Sequence, residues 1–90
     1  MLEGSVKVVN PLGLHARAAA QLVRVAGQFR SRITLRRDDS DASANAKSIL
    51  SLLALAAPIG TQLSIEADGA DEGEAFTAVM ALFAGGFGEI

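Results

Sequence analysis

Only one histidine, His15, occurs in the chain, and there is no cysteine. His15 falls in the stretch NPLGLHARAAA, residues 10–20, between a Pro/Gly-bearing turn and a run that reads as the first turn of a helix. Alanines surround it, and Arg17 is its polar side-chain company. At a helix start the first backbone N–H groups lack intrahelical acceptors, and the macrodipole places about half a positive charge there. That field welcomes anions and disfavours a second positive charge, so it favours imidazole as a neutral nucleophile. A neutral imidazole can take up a phosphoryl group, whose oxygens would meet the N–H groups of Ala16 and Arg17 and the Arg17 guanidinium. A histidine that only caps the helix is the competing structural reading.

Ser48 is the second residue of interest, because it precedes the apolar run ILSLLALAA. Serine there is a good N-cap, worth about 1 kcal/mol. The run is apolar nearly all round, and a small domain has difficulty burying Ile49, Leu50, Leu52, Leu53 and Leu55 together. Leu52 and Leu55 are expected in the core, and the others become candidates for a binding patch.

The elements that must position these residues follow from periodicity. Val6 and Val8 alternate with Ser5 and Lys7 as a half-buried strand does, and the run ends at the turn Asn10-Pro11-Leu12-Gly13. Ala19, Leu22, Val23, Ala26 and then Phe29 repeat at helical spacing. Ile33 and Leu35, then Ala42, Ala44 and Ala46, alternate with polar residues on either side of RDDSD, which predicts a hairpin. A second helix follows Ser48 and is closed by Pro58 and Gly60. Leu63, Ile65 and Ala67 mark a fourth strand. DEGE, residues 71–74, has the spacing of a capping box before a third helix that stops at Gly85-Gly86. The order βαββαβα predicts an α+β fold, a four-stranded antiparallel sheet with its helices on one face.

The chain has 90 residues, enough for one core, and residues 1–90 are read as a single domain. Half of them are hydrophobic, so no metal or disulfide staple is required. The absence of cysteine fits a reducing compartment and removes thiolate chemistry. The longest apolar stretch is too short to span a membrane, and the N-terminus lacks the pattern of a signal peptide, so the cytoplasm is the expected location. A net charge of −2 argues against nucleic acid or an anionic membrane as partner. An RNA-binding βαββαβ domain would want aromatic side chains on its sheet, whereas Phe29, Phe76, Phe83 and Phe87 fall outside the predicted strands. One histidine, with acids mostly grouped at the third helix, offers little for a metal, and no cofactor is expected.

GLHAR after the first strand, together with NAKSILSLLALAAPIGTQLSIEADGADEGEAF, resembles the HPr family of phosphocarrier proteins over essentially the whole chain. The resemblance implies an HPr-like open-faced β-sandwich. It also implies a stoichiometric phosphoryl carrier, not an enzyme, in the phosphoenolpyruvate-dependent phosphotransferase system. Enzyme I would donate the phosphoryl group and an Enzyme IIA domain would receive it, for sugar uptake or for nitrogen-related regulation. His15 would carry the group on Nδ1, with Arg17 stabilising its charge. Ser48 matches a serine phosphorylated in many bacteria by a kinase/phosphorylase. Ala20, Arg24, Lys47, Ile49, Leu50 and Leu53, beside Arg17, correspond to the partner-docking surface of what is expected to be a monomer. One departure is Ala18, where the family commonly has proline. A serine-phosphorylated regulatory module without phosphotransfer is the alternative, and the presence of His15 weighs against it.

Overall fold

The computed structural model describes residues 1–89. Its elements are β1 (Leu2–Lys7), α1 (Ala16–Ala26), β2 (Arg32–Arg37), β3 (Ser43–Asn45), α2 (Ile49–Leu55), β4 (Gln62–Asp68), α3 (Glu72–Ala84) and a short 3-10 turn, Gly86–Gly88. The strands form one antiparallel sheet in the order β1-β4-β2-β3. This is the α+β arrangement expected from the periodicity.

Strand alternation decides which sheet face is covered. Ile33 and Leu35 of β2, and Leu63, Ile65 and Ala67 of β4, are fully buried, while their neighbours Arg32, Arg36, Gln62 and Asp68 are exposed. Leu22 of α1, Leu52 of α2, and Val79 and Phe83 of α3 join the same core cluster. The approach of α3 to β1 is close: a Cβ on Gly4 would lie 2.6 Å from the Phe76 ring.

Three element ends depart from the sequence reading, each for a local reason. The helical spacing runs on to Phe29, yet α1 stops at Ala26 because Gln28 and Phe29 donate to carbonyls three residues back, at 3.1 and 3.2 Å, tightening the last turn. Neither Pro58 nor Gly60 closes α2. It ends at Leu55, where Ala56 turns left-handed (φ 52°, ψ 55°) and Arg37 Nη1 donates to the carbonyls of Leu55 and Ala56 at 3.2 and 2.7 Å.

The capping box at Asp71–Glu74 does not form. Asp71 makes no side-chain cap bond to α3; its carboxylate accepts instead from the N–H groups of Arg30 and Ser31 and from Ser31 Oγ. Glu72 takes the N–H of Gly69 at 3.2 Å. The acids remain in the first turn of α3, where the helix dipole favours them.

Candidate functional site

The turn before α1 aims the histidine. Gly13 has φ +67°, and a Cβ there would lie 2.6 Å from the Ala57 carbonyl oxygen and 2.9 Å from Pro58 Cα, so only glycine fits. Leu14 then donates its N–H to that Ala57 carbonyl at 2.9 Å, joining the turn to the segment after α2. Next in the chain, His15 occupies the N-cap of α1 with extended backbone (φ −79°, ψ −178°), and its carbonyl accepts the N–H of Ala19 at 2.8 Å.

The ring is held from both sides. Nδ1 accepts the N–H of Arg17 at 3.2 Å, so this nitrogen presents its lone pair and the ring proton resides on Nε2. Nε2 donates to Oε2 of Glu89. Glu89 also accepts from Leu12 N–H at 3.3 Å and from Asn10 Nδ2 at 3.2 Å. These donors, His15 foremost, hold the Glu89 carboxyl below its ordinary range against the opposing effect of desolvation. Asn10 is fully buried and donates to the Gly13 carbonyl at 2.7 Å, while its Oδ1 has no partner among the described residues.

The His15 side chain retains 23% of its accessible surface, so a visiting group can reach it. Leu12, Leu14, Ala56, Ala57 and Pro58 line a shallow hollow beside it. Ala16 and Arg17 are exposed at the first turn of α1, and Arg17 makes no ion pair among the described residues. The predicted trio of His15, Ala16 and Arg17 is therefore brought together. Ala18, where the resemblance leads one to expect proline, is completely buried in α1.

Ser48 caps α2: its Oγ accepts the N–H of Ser51 at 3.2 Å, as a serine at that position should. It is half-buried. Beyond it, Ile49, Leu50 and Leu53 retain 41%, 80% and 38% of their surface, whereas Leu52 and Leu55 are buried, so the five are not buried together. Ala20 is half-buried, Arg24 is exposed, and exposed Lys47 donates its Nζ to the Phe29 carbonyl at 2.8 Å. Helix α1 packs against α2, so the basic and apolar candidates lie on adjoining elements. No group of three or more potential metal ligands occurs among the described residues, and no helix is long and apolar enough to cross a membrane.

Sequence reasoning missed Glu89 and the anchoring role of Asn10. Asn10 stood in the turn signal, but Glu89 lies 74 residues from His15, and no local spacing connects them.

A four-stranded antiparallel sheet covered on one face by three helices, with a partly exposed histidine capping the first of them, defines a class of small α+β domains. Within that class, residues 2–85 match the family described as PTS HPr component phosphorylation site, and the chain belongs to this family. Among its relatives, phosphocarrier protein HPr of Neisseria meningitidis serogroup A is 46% identical over 89 residues, covering 99% of this chain and 98% of the relative. Phosphocarrier protein NPr of Escherichia coli K12 is 41% identical over 85 residues, covering 94% and 93%. The crystal structure of an HPr from Thermoanaerobacter tengcongensis superposes with a TM-score of 0.92 at 38% identity, covering 100% of this chain and 99% of that one. The chain is thus a phosphocarrier-family protein of the phosphotransferase system, with the open-faced sandwich of HPr structures.

Proposed function

We propose that the protein relays a phosphoryl group from Enzyme I to an Enzyme IIA domain, carried on Nδ1 of His15. The observation that carries this reading is the Arg17 N–H directed at Nδ1, because it leaves a lone pair on the nitrogen that must attack phosphorus. Once phosphorus occupies that nitrogen, the freed N–H of Arg17 and its guanidinium are placed to meet the new oxygens. Transfer through histidine splits one long displacement into two short ones, and positioning and charge stabilisation supply most of the catalysis. The domain is a substrate of the transfer enzymes and acts as a cytoplasmic monomer, residues 1–90 forming its single unit. Relatives bearing both the HPr and the NPr name match at similar identity, so sugar uptake and nitrogen-related regulation are the two branches to assay.

Docking is assigned to Ile49, Leu50 and Leu53 with Ala20, Arg17, Arg24 and Lys47 around them: an apolar centre with a basic rim suits a transient complex with an acidic partner. A kinase/phosphorylase modifying Ser48 would place charge near −2 beside that surface. Ser48→Asp is then expected to slow Enzyme I-dependent labelling, and an unchanged rate excludes this control.

The deciding experiment is incubation with phosphoenolpyruvate and Enzyme I. An acid-labile, base-stable label is expected on the wild-type protein. His15→Ala should fold and take no such label; a persistent phosphohistidine signal in that variant overturns the assignment.

A further inference from the structure

We propose that Glu89 is a positioning residue for His15. Its carboxylate holds the Nε2 proton, leaves Nδ1 as the sole nucleophilic nitrogen, and balances the positive charge the ring acquires on phosphorylation. This role rests on the phosphocarrier reading above and deepens it.

A neutral imidazole has one proton and two nitrogens, and an unconstrained ring would present either nitrogen to phosphorus. Here two independent groups select the same tautomer: the Arg17 N–H at Nδ1 and the Glu89 carboxylate at Nε2. Glu89 is itself fixed. Leu12 N–H holds Oε1 and Asn10 Nδ2 holds Oε2, while Asn10 is buried and tied to the Gly13 carbonyl of the turn that aims His15. The side chains of His15 and Glu89 retain only 23% and 13% of their surface, so water screens their interaction less than it would a surface pair.

The transfer step shows what the carboxylate contributes. The Nδ1 electron pair forms the N–P bond, and the bond between phosphorus and the donor atom breaks with its pair staying on the donor. The proton on Nε2 does not move, so the imidazole becomes formally cationic while the phosphoryl group keeps its negative charges. Glu89 then faces a cation where it faced a neutral N–H, and a hydrogen bond between two charged groups is the stronger one. When the acceptor takes the phosphoryl group, the ring returns to neutrality and that extra stabilisation is lost. Glu89 therefore biases the carrier toward its loaded form.

Two variants separate the two roles. In Glu89→Gln the amide oxygen still accepts from Nε2–H but carries no charge; in Glu89→Ala both functions are lost. The first readout is the tautomer, read from the 15N shifts of the His15 ring, and it needs no partner protein. Wild type and Glu89→Gln are expected to show Nε2–H, and Glu89→Ala a mixture of tautomers. The second readout is the equilibrium between loaded and unloaded carrier against a fixed ratio of phosphorylated to free Enzyme I. Its constant is expected to fall about tenfold in Glu89→Gln, the difference between a charge-assisted and a neutral hydrogen bond, with the circular dichroism of the fold retained. An Nδ1–H tautomer in the wild type, a Glu89→Ala ring that stays wholly Nε2–H because the Arg17 N–H alone orders it, or a loading constant in Glu89→Gln equal to that of the wild type, overturns the proposal. If the wild type takes no label at all, the phosphocarrier reading fails, and the tautomer measurement still decides whether Glu89 orders the ring.

Discussion

Ser31 and Asp71, 40 residues apart in sequence, are joined by two hydrogen bonds: the Asp71 carboxylate accepts from Ser31 Oγ at 2.6 Å and from Ser31 N–H at 2.9 Å. With a third bond from Arg30 N–H at 2.8 Å, the start of α3 is fastened to the segment that leads into β2. The Ser31 hydroxyl, then the Arg30 N–H, hold the Asp71 carboxyl down at about 2. Because the folded value lies below the unfolded one, the contribution to stability is complete above roughly pH 4. It is lost as pH falls from there toward 2. Thermal unfolding midpoints across that window should decline in the wild type and decline less steeply in Asp71→Asn. Equal slopes would show that this carboxylate does not drive the acid response.

Replacing Arg17 separates its side chain from its backbone. Arg17→Ala removes the guanidinium but keeps the N–H that points at His15 Nδ1. The ring should keep its tautomer while the rate of Enzyme I-dependent labelling drops by about 10²-fold, the size seen when one preorganised charge-stabilising group is removed. A full labelling rate would leave the backbone amides as sufficient.

Leu50 is the most exposed of the large apolar residues of α2, so its role in folding and its role in docking can be told apart. Leu50→Asp should change stability by no more than about 0.5 kcal/mol. Loss of an apolar anchor at a small interface should cost at least about 1 kcal/mol of binding, measurable by titration calorimetry with Enzyme I. Undiminished affinity would place the docking surface elsewhere.

Ala56 carries a left-handed backbone at the end of α2, a conformation that costs a residue with a Cβ about 1–2 kcal/mol. Ala56→Gly relieves that strain at some expense in unfolded-chain entropy, so a net gain of about 0.5–1 kcal/mol is expected in urea denaturation. A loss of stability would mean that the Arg37 contact to the Ala56 carbonyl depends on the alanine.

Wherever periodicity alone sets structure, the sequence was a sufficient guide. The alternation of Ile33 and Leu35 and of Leu63, Ile65 and Ala67 marked the covered sheet face, and the crowding of apolar residues after Ser48 foretold that some would stay outside. The placement of His15 and Arg17 at a helix start was legible from local spacing, whereas their reading as a phosphoryl site came from the resemblance to the HPr family. The element ends were harder, since tertiary partners overrode local signals. Asp71 had the spacing to cap α3 but found better donors at Arg30 and Ser31, and α2 ended where Arg37 could reach its last carbonyls, ahead of Pro58. Glu89 was illegible for the same reason: its link to His15 exists only after α3 has carried the chain back across the molecule.

The His15 ring and the apolar rise of α2 lie on adjoining elements, and on the reading proposed here they serve donor and acceptor alike. A protein seated there hides the imidazole from every other visitor. Giver and taker must therefore alternate, with a dissociation between them, and an excess of either should throttle throughput by monopolising the shuttle.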